Sequence, residues 1–89
     1  MNVKEQSKHV TLRCASHFLD TVIDRFGTNA VYNSVDAKHF SVTAAIAISP
    51  QFYGWLLGFG NKLKILSTSH VAEGYIAHLE NIKSLYNHE

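Results

Sequence analysis

A single cysteine, Cys14, leaves this chain no means of forming an internal disulfide, so its core has to hold by packing alone, and a reducing, cytoplasmic setting is expected. With one proline, Pro50, and five glycines, nothing reads as an interdomain linker, and neither a low-complexity tract nor an internal repeat is present. Nowhere do about 18 apolar residues run together, and the opening Met1-Asn2-Val3-Lys4-Glu5-Gln6-Ser7-Lys8 carries no apolar run, so no membrane span and no secretory leader are expected. Charge is scarce as well. Eight basic and seven acidic side chains give a formal net charge of +1, which excludes a bulk electrostatic pull toward nucleic acid or membrane and leaves only local patches for such binding.

What is present is apolar. Hydrophobic residues make up 46% of the 89 positions and charged residues 17%, the composition of a packed globule with a lightly charged surface. A domain of this size buries only about 60–65% of its unfolded surface, so its margin of stability is thin. Part of its apolar surface is expected to seek a partner.

The periodicity divides the chain into seven elements. From Lys8 to Cys14, Val10, Leu12 and Cys14 alternate with His9, Thr11 and Arg13, a strand with one buried face. Ser16 is the expected N-cap of a helix striped by Phe18, Leu19, Val22, Ile23 and Phe26 and stopped by Gly27. Ala30–Val35 and Lys38–Ile48 read as two strands joined through Asp36-Ala37. The second of these carries Phe40, Val42, Ala44, Ile46 and Ile48 on one face and Ser41, Thr43, Ala45 and Ala47 on the other. Pro50 opens a short helix through Phe52, Trp55, Leu56 and Phe59, and Gly60 supplies its stop. Leu63 and Ile65 then alternate with Lys62 and Lys64 as a strand, and Ser67-Thr68-Ser69 offers caps for a last helix striped by Val71, Tyr75, Leu79, Ile82 and Tyr86.

This order, strand, helix, strand, strand, helix, strand, helix, predicts an α+β fold. Two interleaved right-handed split β-α-β units give a ferredoxin-like βαββαβ plait, a four-stranded antiparallel sheet of order 4-1-3-2 with its helices on one side, extended by a C-terminal helix. Residues 1–8 are expected to be a polar tail and 9–88 the domain.

The segment Phe52-Tyr53-Gly54-Trp55-Leu56-Leu57-Gly58-Phe59-Gly60 resembles the aliphatic-x-x-Trp-Leu-Leu-x-Phe-Gly signature of the C-terminal extension that follows the WYL domain in bacterial WYL-type transcriptional regulators. The strand that ends in Ile65-Leu66-Ser67, the Ser-x-x-Val register of the last helix and Tyr86 near its end are similar too, and the resemblance spans Val10 to Tyr86. Such regulators join a winged helix-turn-helix, a WYL domain built as an Sm-like barrel, and this extension, described as ferredoxin-like, which helps in dimerisation and in coupling effector binding to DNA binding. The resemblance therefore implies a fragment of a longer regulator, one that self-associates or docks on a WYL domain and meets DNA only through a domain absent from this chain. No Trp-Tyr-Leu tripeptide and no helix-turn-helix occur in the sequence.

In the predicted plait, Arg13, Lys62 and Lys64 fall on strand positions opposite buried neighbours, so they are expected on the open face of the sheet with Thr11, Tyr32, Ser41 and Thr43 nearby. Adjacent first and fourth strands bring these cations together, a place for an anionic or nucleic-acid effector, although single cations on strands also serve simply as a solvated face that guards edges. Thr43, Ala45 and Ala47 form a small, flat surface over which another protein layer can approach closely. An RNA-recognition plait would need stacking aromatics on its central strands, and only Tyr32 offers a ring. No cofactor or metal is expected: His70 and His78 share a helix face with Glu73 but no further donor, and His9, His17, His39 and His88 are scattered. Cys14 has no activating neighbour and reads as core, as do Phe52, Tyr53 and Trp55, whose rings are alternatively read as lining a ligand pocket between the second and third helices. With neither a nucleophile elbow, a phosphate-cradling glycine loop nor an arginine-bearing loop after the first strand, enzyme activity is not expected. The reading from another class is a free-standing ACT-like sensor, a paired plait that binds a metabolite at its interface.

Overall fold

Val10, Leu12 and Cys14 are completely buried while Thr11 and Arg13 between them are only half-buried. That alternation defines β1, Ser7–Ala15, in a computed structural model of the chain that describes residues 7–87. Of the expected polar tail, residues 1–6 lie outside the described residues, and Ser7 and Lys8 already belong to β1. Along β3, His39–Ala47, the same period buries Phe40, Val42, Ala44 and Ile46. The two strands pair antiparallel in full register, from Ser7 opposite Ala47 to Ala15 opposite His39, so their apolar side chains fall on one face. β2, Val31–Asp36, and β4, Leu63–Ser67, complete an antiparallel sheet of order β2-β3-β1-β4, which is 4-1-3-2 from the other edge.

Helices cover the apolar face. α1, Leu19–Phe26, buries Val22, and α2, Pro50–Leu57, buries Phe52 and Leu56. The two helices meet through rings, Phe26 standing edge-on to Trp55 at 5.2 Å between centroids, and beside them Phe18, just before α1, stands edge-on to Phe59, just after α2, at 4.9 Å. Pro50 opens α2 as its pattern requires, and Ser49 caps it, its Oγ accepting from the Phe52 N–H at 3.1 Å. α3, Ser69–Asn87, buries Val71 and leans Tyr75 against Tyr53 of α2. Beyond Leu79 every described residue of α3 is exposed.

The principal extents are 43 × 39 × 21 Å, and the radius of gyration, 14.1 Å, exceeds the about 12 Å usual for a compact chain of this length. A thickness of 21 Å accommodates one sheet and one helix layer, since packed layers sit about 10 Å apart. Among the described residues no helix covers the other face of the sheet.

Several local expectations shift. Ser16 does not cap α1: residues Ser16–Phe18 form a 3-10 turn, and the Ser16 N–H donates instead to the Lys38 carbonyl at 2.8 Å, tying the end of β1 to the β2–β3 turn. That turn is Ala37-Lys38, one residue later than expected, with the Asp36 carboxylate accepting from the Lys38 N–H. Thr68 supports the start of α3 with its carbonyl, which accepts from the N–H groups of Val71 and Ala72, while its hydroxyl donates to the His9 carbonyl of β1.

Candidate interaction face

On β1 the bare face carries His9, Thr11, Arg13 and Ala15, and on β3 it carries His39, Ser41, Thr43, Ala45 and Ala47, because directly paired residues point to the same side. Thr11 and Thr43 are cross-strand partners whose hydroxyls share a hydrogen bond at 2.8 Å. That bond closes the middle of the surface without raising it. Ala45 and Ala47 are exposed and Thr43 is half-buried, with His9 directly opposite Ala45 and Val31 opposite Thr43.

Arg13 lies directly opposite Lys64, so the two cations do stand side by side on the bare face. Lys62 does not join them. Gly60, with φ +59°, starts a 3-10 turn over Gly60–Lys62, and the strand begins only at Leu63, which removes Lys62 from the sheet. It lines, with Ser16, His17, Lys38 and His39, a cleft of about 410 Å³ at the end of the sheet.

Tyr32 is also corrected. It pairs with Val42, which places it on the helix-bearing face, where its ring lies 6.4 Å from that of Phe40 and its hydroxyl donates to the Gly27 carbonyl at 2.6 Å. Burial pushes its phenol above the ordinary range. What β2 shows to the bare face is Val31, opposite Thr43, Asn33, opposite Ser41, and, past a register shift at Val35, Asp36, opposite His39. Val31 is 56% exposed and Val35 47%. Val31 escaped the sequence reading because a strand with apolar residues on both faces carries no parity signal.

The electrostatics are one-sided. At the bare-face strand positions among the described residues the one carboxylate is Asp36, at the end of β2 opposite His39; Asp20 and Asp24 lie on α1, and Glu73 and Glu80 on α3. Asp36 sits at the rim, 2.9 Å from His39 Nδ1, and is held below the usual carboxylate range by the Lys38 N–H and then by that imidazole.

Elsewhere, Cys14 is wholly buried and burial pushes its thiol up to about 11, the opposite of an activated nucleophile. Among the described residues no group of three or more His, Cys, Asp or Glu converges, and His78 lies against the Tyr53 ring at 5.0 Å. Phe52, Tyr53 and Trp55 belong to the core or pack on it. No helix of the described residues is long and apolar enough to cross a membrane. No family model, curated protein or solved structure matches the chain.

Proposed function

We propose that this chain is a non-enzymatic regulatory and oligomerisation module, the C-terminal extension of a WYL-type transcriptional regulator, folded as a ferredoxin-like plait. On this reading it couples effector binding and dimer contacts to a DNA-binding domain carried elsewhere in the regulator. The element order and the antiparallel order 4-1-3-2 support the plait. The run from Phe52 to Gly60, an aromatic helix that ends on a glycine turn and leads into a lysine-bearing strand, supports the family.

The observation that carries the function is the bare sheet face: small at Thr43, Ala45 and Ala47, cationic at Arg13 and Lys64, with its one described carboxylate, Asp36, at the rim against His39. Such a surface docks on a second layer by packing and offers an anion paired charges, without bond chemistry. Light scattering of the chain at high micromolar concentration tests it. A dimer is expected, and Ala45→Arg, which plants a long cation at the close-approach surface, is expected to shift it to monomer with an unchanged circular dichroism spectrum. A chain that stays monomeric, or a dimer indifferent to Ala45→Arg, rejects this face as the dimer surface.

A further inference from the structure

β2 is shorter than the strand it accompanies. It covers β3 from His39 to Thr43, whereas β3 runs on to Ala47, so along Ala44–Ala47 the side turned away from β1 meets no strand among the described residues. In an antiparallel ladder alternate residues direct both N–H and C=O to the same side. Half of this short segment therefore presents unmet backbone donors and acceptors to an open notch, the arrangement that invites another strand.

The notch is also a cleft, of about 450 Å³. Phe26, Ala30 and Ala44 give it an apolar floor, and Arg25, Asn29 and His9 stand around it. Among the described residues no carboxylate lines it; Asp24, the neighbour of Arg25 on α1, is not among its lining residues. Arg25 makes no ion pair among the described residues, and its guanidinium lies over the Trp55 ring, 5.3 Å from the centroid. A cation held in place by an aromatic face, beside an unpaired strand edge and an apolar hollow, describes one class of ligand.

We propose that this notch is a strand-addition site for an extended acidic segment of a partner protein. The segment, about four or five residues long at ~3.3 Å per residue, pairs with the backbone of Ala44–Ala47, sets an apolar side chain over Phe26 and Ala30, and brings a carboxylate to Arg25. Backbone pairing supplies the affinity and the two side-chain contacts supply the selection. Ala45 and Ala47 leave the added strand unobstructed on the bare face. The inference rests on the length mismatch of two strands and is independent of the regulator reading.

The free chain gives the first test. By amide hydrogen exchange, the N–H groups of Ala44–Ala47 that face away from β1 are expected to exchange freely while those paired with β1 are protected; protection of both sets in the free chain would show the edge already occupied and overturn the proposal. Next, the full chain is panned against displayed random heptapeptides. Sequences that alternate apolar or β-branched residues and include Asp or Glu are expected. A synthetic copy of the most enriched peptide is expected to protect the Ala44–Ala47 amides, to lose binding when its alternate backbone nitrogens are methylated, and to bind Arg25→Gln about fivefold more weakly, as for loss of one partly exposed ion pair. The methylated peptide leaves the protein untouched, so its result does not depend on how a variant folds. Failure to enrich any peptide, binding that survives methylation, or shifts confined to the bare face rather than the notch would each overturn the proposal.

Discussion

At the scale of single residues, Cys14 shows how burial becomes a pH-dependent stability. Its thiol is pushed from 9.0 up to about 11, so the folded chain keeps a proton that the unfolded chain has already released. Its share of stability is therefore complete below pH 9.0 and is lost as the pH rises toward about 11, at up to about 1.4 kcal/mol per pH unit inside that window. Tyr32 and Tyr75, also raised by burial, titrate in the same region, so a difference measurement is needed. In urea melts, the advantage of the wild type over Cys14→Ala is expected to be constant up to pH 9 and to shrink above it; parallel profiles would show that the thiol does not titrate this way. Cys14 was legible in the sequence because it continues the alternation of Val10 and Leu12. Tyr32 was not. A phenol suits either face of an edge strand, and its side is fixed by the register that pairs it with Val42 and by a hydroxyl that reaches the Gly27 carbonyl.

At the scale of elements, the contact between α2 and α3 is set by a missing side chain. A methyl group at Gly74 would stand 2.7 Å from the Tyr53 hydroxyl, so α3 approaches Tyr53 as closely as it does because it carries glycine there. Mid-helix glycine costs about 1 kcal/mol relative to alanine, so Gly74→Ala sets a gain in helix propensity against displacement of Tyr53. The two effects separate in a double-mutant cycle with Tyr53→Phe, which removes the crowded oxygen. Gly74→Ala is expected to be neutral or destabilising in the wild type and to stabilise the Tyr53→Phe background by about 0.5–1 kcal/mol in chemical melts; equal effects in both backgrounds would mean that the hydroxyl is not the obstacle. Helices and strands were readable where one period dominated, as at Val10–Cys14 and from Pro50 onward. Their junctions were less so: Lys62 continued the alternation of β4 on paper, but the left-handed Gly60 diverts three residues into a 3-10 turn first. The stripe of α3 was visible to Tyr86, yet its second half finds nothing among the described residues to cover it, and Tyr86 stays 82% exposed.

At the scale of the whole molecule, the telling feature is where like charges have been left together. Arg13 and Lys64 are direct cross-strand partners, an arrangement that costs a sheet a few tenths of a kcal/mol, and no carboxylate occupies a neighbouring bare-face position among the described residues to offset it. In a thin two-layer domain with little stability to spare, such a pairing makes sense if an external anion completes it. Lys64→Glu separates the two demands, because it turns the repulsive pair into an attractive one. The variant is expected to be more stable than the wild type by about 0.5 kcal/mol at low salt, with the gain fading as the ionic strength approaches 1 M. It is also expected to lose the affinity for a short single-stranded oligonucleotide or for inorganic phosphate that the wild type shows at low salt, read by the change in amide chemical shifts along β1 and β4. A Lys64→Glu chain that gained stability while binding these anions as before would mean that the cations are an edge guard and that the face meets its partner through Thr43, Ala45 and Ala47 alone.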